Sequence, residues 1–118
     1  MKAIVLFGHG SRDPLWRLPI EGVAARVAAE QPGLLVRCAW LELEPPDLRA
    51  AVADLMRAGA TEIAVLPMFL GMGRHAREDL PRLVEALRQE HPRIRLDLRA
   101  PVGEHPALIG TLVRIAVD

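Results

Sequence analysis

The sequence predicts an α/β fold: a doubly wound, four-stranded parallel sheet in the order 2-1-3-4, with helices on both faces. Three observations carry this. Short apolar runs recur along the chain, each followed by a stretch with the 3.6-residue period of a helix. The connections are short, and a strand–helix–strand crossover of that kind requires parallel strands and a right-handed turn. The first run, residues 2–7, is apolar almost throughout, as a strand buried on both faces must be. The 118 residues are expected to form one domain, 1–118, large enough to bury a core without disulfides or metals.

Each element has its own signal. After the first strand, a helix begins near Trp16 or Pro19 and runs to Glu30. Pro19 suits a first turn, Val23, Ala24, Val27 and Ala28 give it an apolar stripe, and Pro32-Gly33 ends it. Leu34 to Leu41 is the second strand. Asp47 is a good N-cap for a helix that runs to about Ala58 and closes at Gly59, burying Ala51, Val52, Leu55 and Met56. Thr61 to Leu66 is the third strand, and residues 67–73 leave it as an irregular apolar loop. Arg74 to Glu90 is helical in period, with Leu80, Leu83, Val84 and Leu87 on one side. Pro81 is expected to kink it or to start a second helix. Residues 93–99 alternate polar and apolar, the mark of an edge strand with one buried face. Pro106 to about Val117 is the last helix.

Composition narrows the function. Fifteen basic and fifteen acidic residues cancel, whereas a nucleic-acid binder carries a basic excess. No apolar run approaches the ~20 residues of a membrane span, and the N-terminal run is too short for a secretory signal. The one cysteine, Cys38, reads as a small apolar group in a strand. A cytoplasmic protein with no membrane partner is expected. Lys2 is the only lysine, and the other fourteen basic residues are arginine, which grips carboxylates in a planar, two-pronged way that lysine cannot.

Ionisable residues fall just past all four strand ends: His9, Glu42, His75 and His105. Open α/β sheets bind ligands at the carboxyl ends of their strands, in the crevice where the strand order reverses. With the order 2-1-3-4, His9 and His75 would face each other across that crevice, with Glu42 beside them. A single strand-end histidine is ordinarily a cap or a core group. Three of four histidines and a glutamate on one edge form an incomplete shell for a divalent transition metal, with positions left open. Asp79 lies four residues after His75, on the same helical face, where it would either orient that imidazole or serve the helix dipole. Arg12, Arg17, Arg74 and Arg77 lie near the same rim and suit a polycarboxylate. Trp16, Met68, Phe69, Leu70 and Met72 add apolar surface. A large flat ligand with an acidic fringe fits that mixture. A phosphate-handling enzyme fits less well, because the loop lacks both common Gly-rich phosphate patterns.

His9-Gly10-Ser11-Arg12, Phe69 to His75 running into Asp79-Leu80-Pro81, and Pro101 to Pro106 together resemble the class II chelatases of tetrapyrrole biosynthesis. The similarity is to the short form of the CbiX sirohydrochlorin chelatases, and it covers nearly the whole chain. It implies insertion of Co2+, or in relatives Fe2+ or Ni2+, into sirohydrochlorin, without a nucleotide, for cobalamin or sirohaem. The family's two metal-handling histidines match His9 and His75, and its acidic residue most nearly matches Glu42, with Glu44 close by. One imidazole, or Glu42, would accept a pyrrole proton. Ser11, the four arginines, Phe69 and Leu70 would seat the macrocycle. The short form is expected to work as a homodimer with its cleft between two copies. A non-catalytic carrier of metal or tetrapyrrole with the same site is the alternative.

Overall fold

The computed structural model describes residues 1–118. Four strands, β1 (Lys2–Gly8), β2 (Leu35–Trp40), β3 (Glu62–Pro67) and β4 (Arg95–Leu98), alternate with four helices, α1 (Leu18–Glu30), α2 (Leu48–Arg57), α3 (Arg74–Glu90) and α4 (Pro106–Val117). A short 3-10 turn, Val102–Glu104, precedes α4. The sheet order is β2-β1-β3-β4, parallel throughout, as the sequence predicts. β1 is central, and it alone is buried on both faces: Ala3 to Gly8 are all buried. Val5 sits between Arg37 of β2 and Val65 of β3.

Side chains alternate across a strand, so the sheet has two faces, and they differ. On one, Ala3, Val5, Phe7, Ala39, Ile63, Val65 and Leu96 pack against Leu48, Val52 and Leu55 of α2 and Leu80, Val84 and Leu87 of α3. This is the core. Asp47 caps α2 as expected, its carboxylate accepting the Ala50 N–H at 2.9 Å. β4 is an edge strand with Leu96 buried and Arg95 and Asp97 exposed, again as its alternation predicts.

The other face is thinly covered. α1 lies against β2 and β1 but buries no residue. Its expected stripe is rotated: Ala24 and Val27 are half-buried, while Val23 is 42% exposed. α4 buries no residue either and rests on the 3-10 turn. α3 also departs from expectation, for it is one uninterrupted helix with Pro81 inside it. Pro81 cannot donate to the carbonyl of Arg77. Both residues are exposed, on the side of α3 away from its buried Leu80, Val84 and Leu87.

Candidate active site

The hydrogen-bond ladder of β1 runs on past the strand ends. The Leu41 and Glu42 N–H groups donate to the carbonyls of Gly8 and His9 at 2.8 and 3.1 Å, and the Met68 N–H donates to that of Phe7 at 2.8 Å. The loops after β2 and β3 are thus fastened to the end of β1, and His9 stands between them. The approach is close enough to require glycine next door. Gly10 has φ +92°, and a Cβ there would fall 1.9 Å from the Glu42 carbonyl oxygen.

His9 is exposed, yet its ring has a floor. Phe69 lies against the imidazole with ring centroids 4.8 Å apart, and Phe7 braces Phe69 edge-on at 6.1 Å. Phe69 is only 4% exposed, so it supports the histidine and does not offer the open seat expected of it. The loop is held from behind as well. The Gly103 N–H donates to the Phe69 carbonyl at 3.0 Å, and a Cβ on Gly103 would fall 1.9 Å from the Leu70 carbonyl oxygen. The 3-10 turn therefore buttresses the floor of the site.

His75 is the second residue of α3 and exposed, as is Glu42. The structure joins His9 and Glu42 through the backbone. It does not gather His9, His75 and Glu42, or any other three His, Cys, Asp or Glu side chains, into a cluster that could hold a metal ion. His9, His75 and Glu42 are each exposed at the carboxyl-end edge of the sheet.

Several residues read as site groups have other partners. Glu44, near Glu42 in sequence, is turned inward: its carboxylate accepts from the Ser11 N–H at 2.7 Å and from Arg17 Nη1 at 3.1 Å, and its side chain is 8% exposed. That settles which of the two glutamates is free. Arg17 is spent on Glu44 and on Glu21, 3.4 Å away. The Ser11 hydroxyl accepts the Asp13 N–H at 3.0 Å, closing a turn. Asp79 has Arg82 as its partner, 3.7 Å away, and does not bond His75. Arg74 pairs with Glu78 along α3 at 3.3 Å, an exposed pair that costs little to open. Arg12 and Arg77 have no ion pair. His105 is a cap, its Nδ1 accepting the Ala107 N–H at 3.1 Å.

The apolar rim is broader than the sequence showed. Leu15 follows β1, Leu41 and Leu43 follow β2, and Leu70 follows β3; all four are exposed. Leu43 has φ +71°, a left-handed conformation that costs a branched residue about 1–2 kcal/mol. The signal was present in Leu41-Glu42-Leu43-Glu44, since a solvated loop has no need of alternating leucines.

The model of the CbiX family matches residues 3–117. The sirohydrochlorin cobaltochelatase of Methanococcoides burtonii is 33% identical over 82 residues, 70% of this chain and 63% of that protein. The matched stretch spans about three fifths of the curated archaeal relatives. The crystal structure of a CbiX protein of Marinobacter aquaeolei VT8, assigned to cobalamin (vitamin B12) biosynthesis, has a TM-score of 0.83 at 32% identity, covering 99% of this chain and 94% of that one. The sirohydrochlorin chelatase SirB of Bacillus subtilis subspecies spizizenii, in complex with cobalt, has a TM-score of 0.79 at 27% identity, covering 97% of this chain and 49% of that one.

Proposed function

The chain belongs to the CbiX family, and from that membership we propose that it inserts a divalent metal ion into a sirohydrochlorin-like tetrapyrrole. Co2+ is the first choice of metal, Fe2+ or Ni2+ the next, and no nucleotide takes part. The cytoplasm is its place, and no helix is long and apolar enough to cross a membrane. The observation that carries this reading is His9: an exposed imidazole held on an aromatic floor, its backbone bonded to that of Glu42.

The metal is substrate here. Inserting M2+ releases two pyrrole protons, so the site must both hand over a metal and receive protons. His9 and His75 are the metal's docking groups, and Glu42 offers an oxygen beside them. As the metal crosses, an imidazole or the Glu42 carboxylate takes a pyrrole proton. Histidine suits this because its unperturbed pKa of ~6.5 lets it exchange protons near neutrality. Arg12, Arg74 and Arg77 take the carboxylates of the macrocycle. Leu70, with Leu15, Leu41 and Leu43, meets its apolar face. A domain of this size cannot enclose a macrocycle, so the working form is a homodimer.

The test is an anaerobic absorbance assay with sirohydrochlorin in excess and Co2+, Ni2+ or Fe2+ in turn. Multiple turnovers are expected, and His9→Ala should lower the rate by about 10²–10⁴-fold, the range for losing a proton-transfer group. Uptake that stops at one equivalent would establish the carrier reading instead. A His9→Ala protein with the parent rate would remove His9 from the mechanism.

A further inference from the structure

His9 and Glu42 stand on two loops that leave neighbouring strands, residues 9–17 after β1 and residues 41–47 after β2. Neither loop belongs to a strand or a helix. The ladder between them ends at the bond from the Glu42 N–H to the His9 carbonyl, 3.1 Å long. The β1 loop then turns away at Gly10, where φ is +92°. A tie that ended there would hold the two residues together at one point and leave the chain beyond His9 free to swing.

Glu44 supplies a second tie. Its Oε2 accepts the Ser11 N–H at 2.7 Å, and its Oε1 accepts from Arg17 Nη1 at 3.1 Å. Both oxygens are in use, and they reach two different points: the residue two past His9, and the N-cap of α1. Arg17 is held in turn by Glu21, one turn along α1, at 3.4 Å. The base of Glu44 is fixed as well. The Trp40 N–H donates to the Pro46 carbonyl at 2.9 Å and closes the loop that carries both glutamates.

The chemistry of this tie makes it strong. The Glu44 side chain is 8% exposed, so its charge has little water around it and needs partners. A donor facing an ionised carboxylate makes a bond of roughly 2.7–2.9 Å, about twice as strong as a neutral one, and the Ser11 bond lies at the short end. His9 is therefore fixed from both sides, by the β1 ladder before it and by Ser11 after it. The Phe69 floor under the imidazole comes from the loop after β3 and does nothing to hold His9 against Glu42.

We propose that Glu44 is a positioning residue for metal insertion: with Arg17 it locks the His9 loop against the Glu42 loop, so that imidazole and carboxylate act on one metal ion. This rests on the chelatase reading and deepens it. Glu44 itself touches neither metal nor macrocycle. Its effect is on rate, because a misplacement of about 1 Å at a reacting group can cost about 10²-fold.

The test combines the absorbance assay with amide exchange, at a temperature where circular dichroism shows every protein folded. Glu44→Ala is expected to lower kcat by about 10²-fold while leaving KM for Co2+ and for sirohydrochlorin near the parent values, the pattern of an interaction that matters only in the reaction step. Glu44→Gln keeps an oxygen for one of the two donors and is expected to fall between the parent and Glu44→Ala. In a Glu42→Ala background the same Glu44→Ala change should cost less than about 3-fold, since no carboxylate is left to align; a structural role alone would cost the same in both backgrounds. Equal cost in the two backgrounds, or a loss confined to KM, overturns the proposal. Amide exchange reads the lock without turnover. The Glu42 amide is expected to exchange at least ~10-fold faster in Glu44→Ala, with Val5 unchanged, and a Glu42 rate equal to the parent's overturns the lock. A parent that inserts no metal overturns the chelatase reading and leaves the lock to be decided by the exchange result.

Discussion

Glu42 and Glu44 are two residues apart and do opposite things. Glu44 holds the β1 loop in shape through Ser11 and Arg17; Glu42 is free. Glu44→Ala is expected to cost about 2 kcal/mol, because a hydrogen bond to a charged group is worth about 1.5–3 kcal/mol and its loss strands a donor. Glu42→Ala should change stability by less than ~0.5 kcal/mol, as exposed sites do, while slowing metal insertion. Urea titration beside the absorbance assay separates the two, and equal loss of stability in both variants would reverse the assignment. Gly10 is the third fixed point. Gly10→Ala must pay about 1–2 kcal/mol for φ > 0, and its methyl would strike the Glu42 carbonyl oxygen, so both stability and insertion should fall. Cys38 stands apart from the site. Burial, and then the charge of Glu21, push its thiol from 9.0 up to about 11. The unfolded chain therefore ionises first as pH rises. The stability due to this group is whole below pH 9.0 and drains away as pH climbs to about 11. Urea midpoints across that window should fall more steeply for the parent than for Cys38→Ser. A native thiol that reacts with maleimide near pH 8 as fast as free cysteine would contradict the raised pKa.

The elements were legible in the sequence to different degrees, and the differences have causes. β1 could be placed because only a central strand is apolar on successive residues, and β4 because only an edge strand alternates so cleanly. Strand ends follow from strands, so the positions of His9, Glu42 and His75 on one edge were legible too. Which glutamate is free was not, since it turns on the left-handed backbone of Leu43, and no spacing rule announces a leucine there. α1 and α4 were legible as helices but not as exposed ones: periodicity shows that a face is apolar and not what covers it. α3 shows the opposite limit. Pro81 signalled a break, and the helix runs through, because its other residues bury Leu80, Val84 and Leu87 and that burial outweighs one lost bond. The cost is still being carried. Proline inside a helix is about 3 kcal/mol worse than alanine, partly offset by the freedom it removes from the unfolded chain. Pro81→Ala is expected to gain about 2 kcal/mol and to raise Tm by roughly 8 °C. Calorimetry would show it, and an unchanged or lower Tm would mean that Pro81 stiffens the start of α3, where His75 sits.

At the scale of the whole molecule the asymmetry of the two sheet faces governs motion. One face is sealed by α2 and α3 over buried side chains from all four strands; the other is open along β3 and β4. Amide exchange reports such differences directly, since protection follows local burial and the cost of local opening. The amides of Val5, Leu6 and Val65 should exchange slowest, at the rate of global unfolding, for each lies in a paired strand and has no more than 1% of its surface exposed. α4 should behave differently. In a single chain nothing but its own hydrogen bonds and the 3-10 turn protects it, so at low protein concentration its amides should exchange orders of magnitude faster than those of β1. Protection of α4 equal to that of β1 would mean that the helix is held more firmly than its exposed side chains allow.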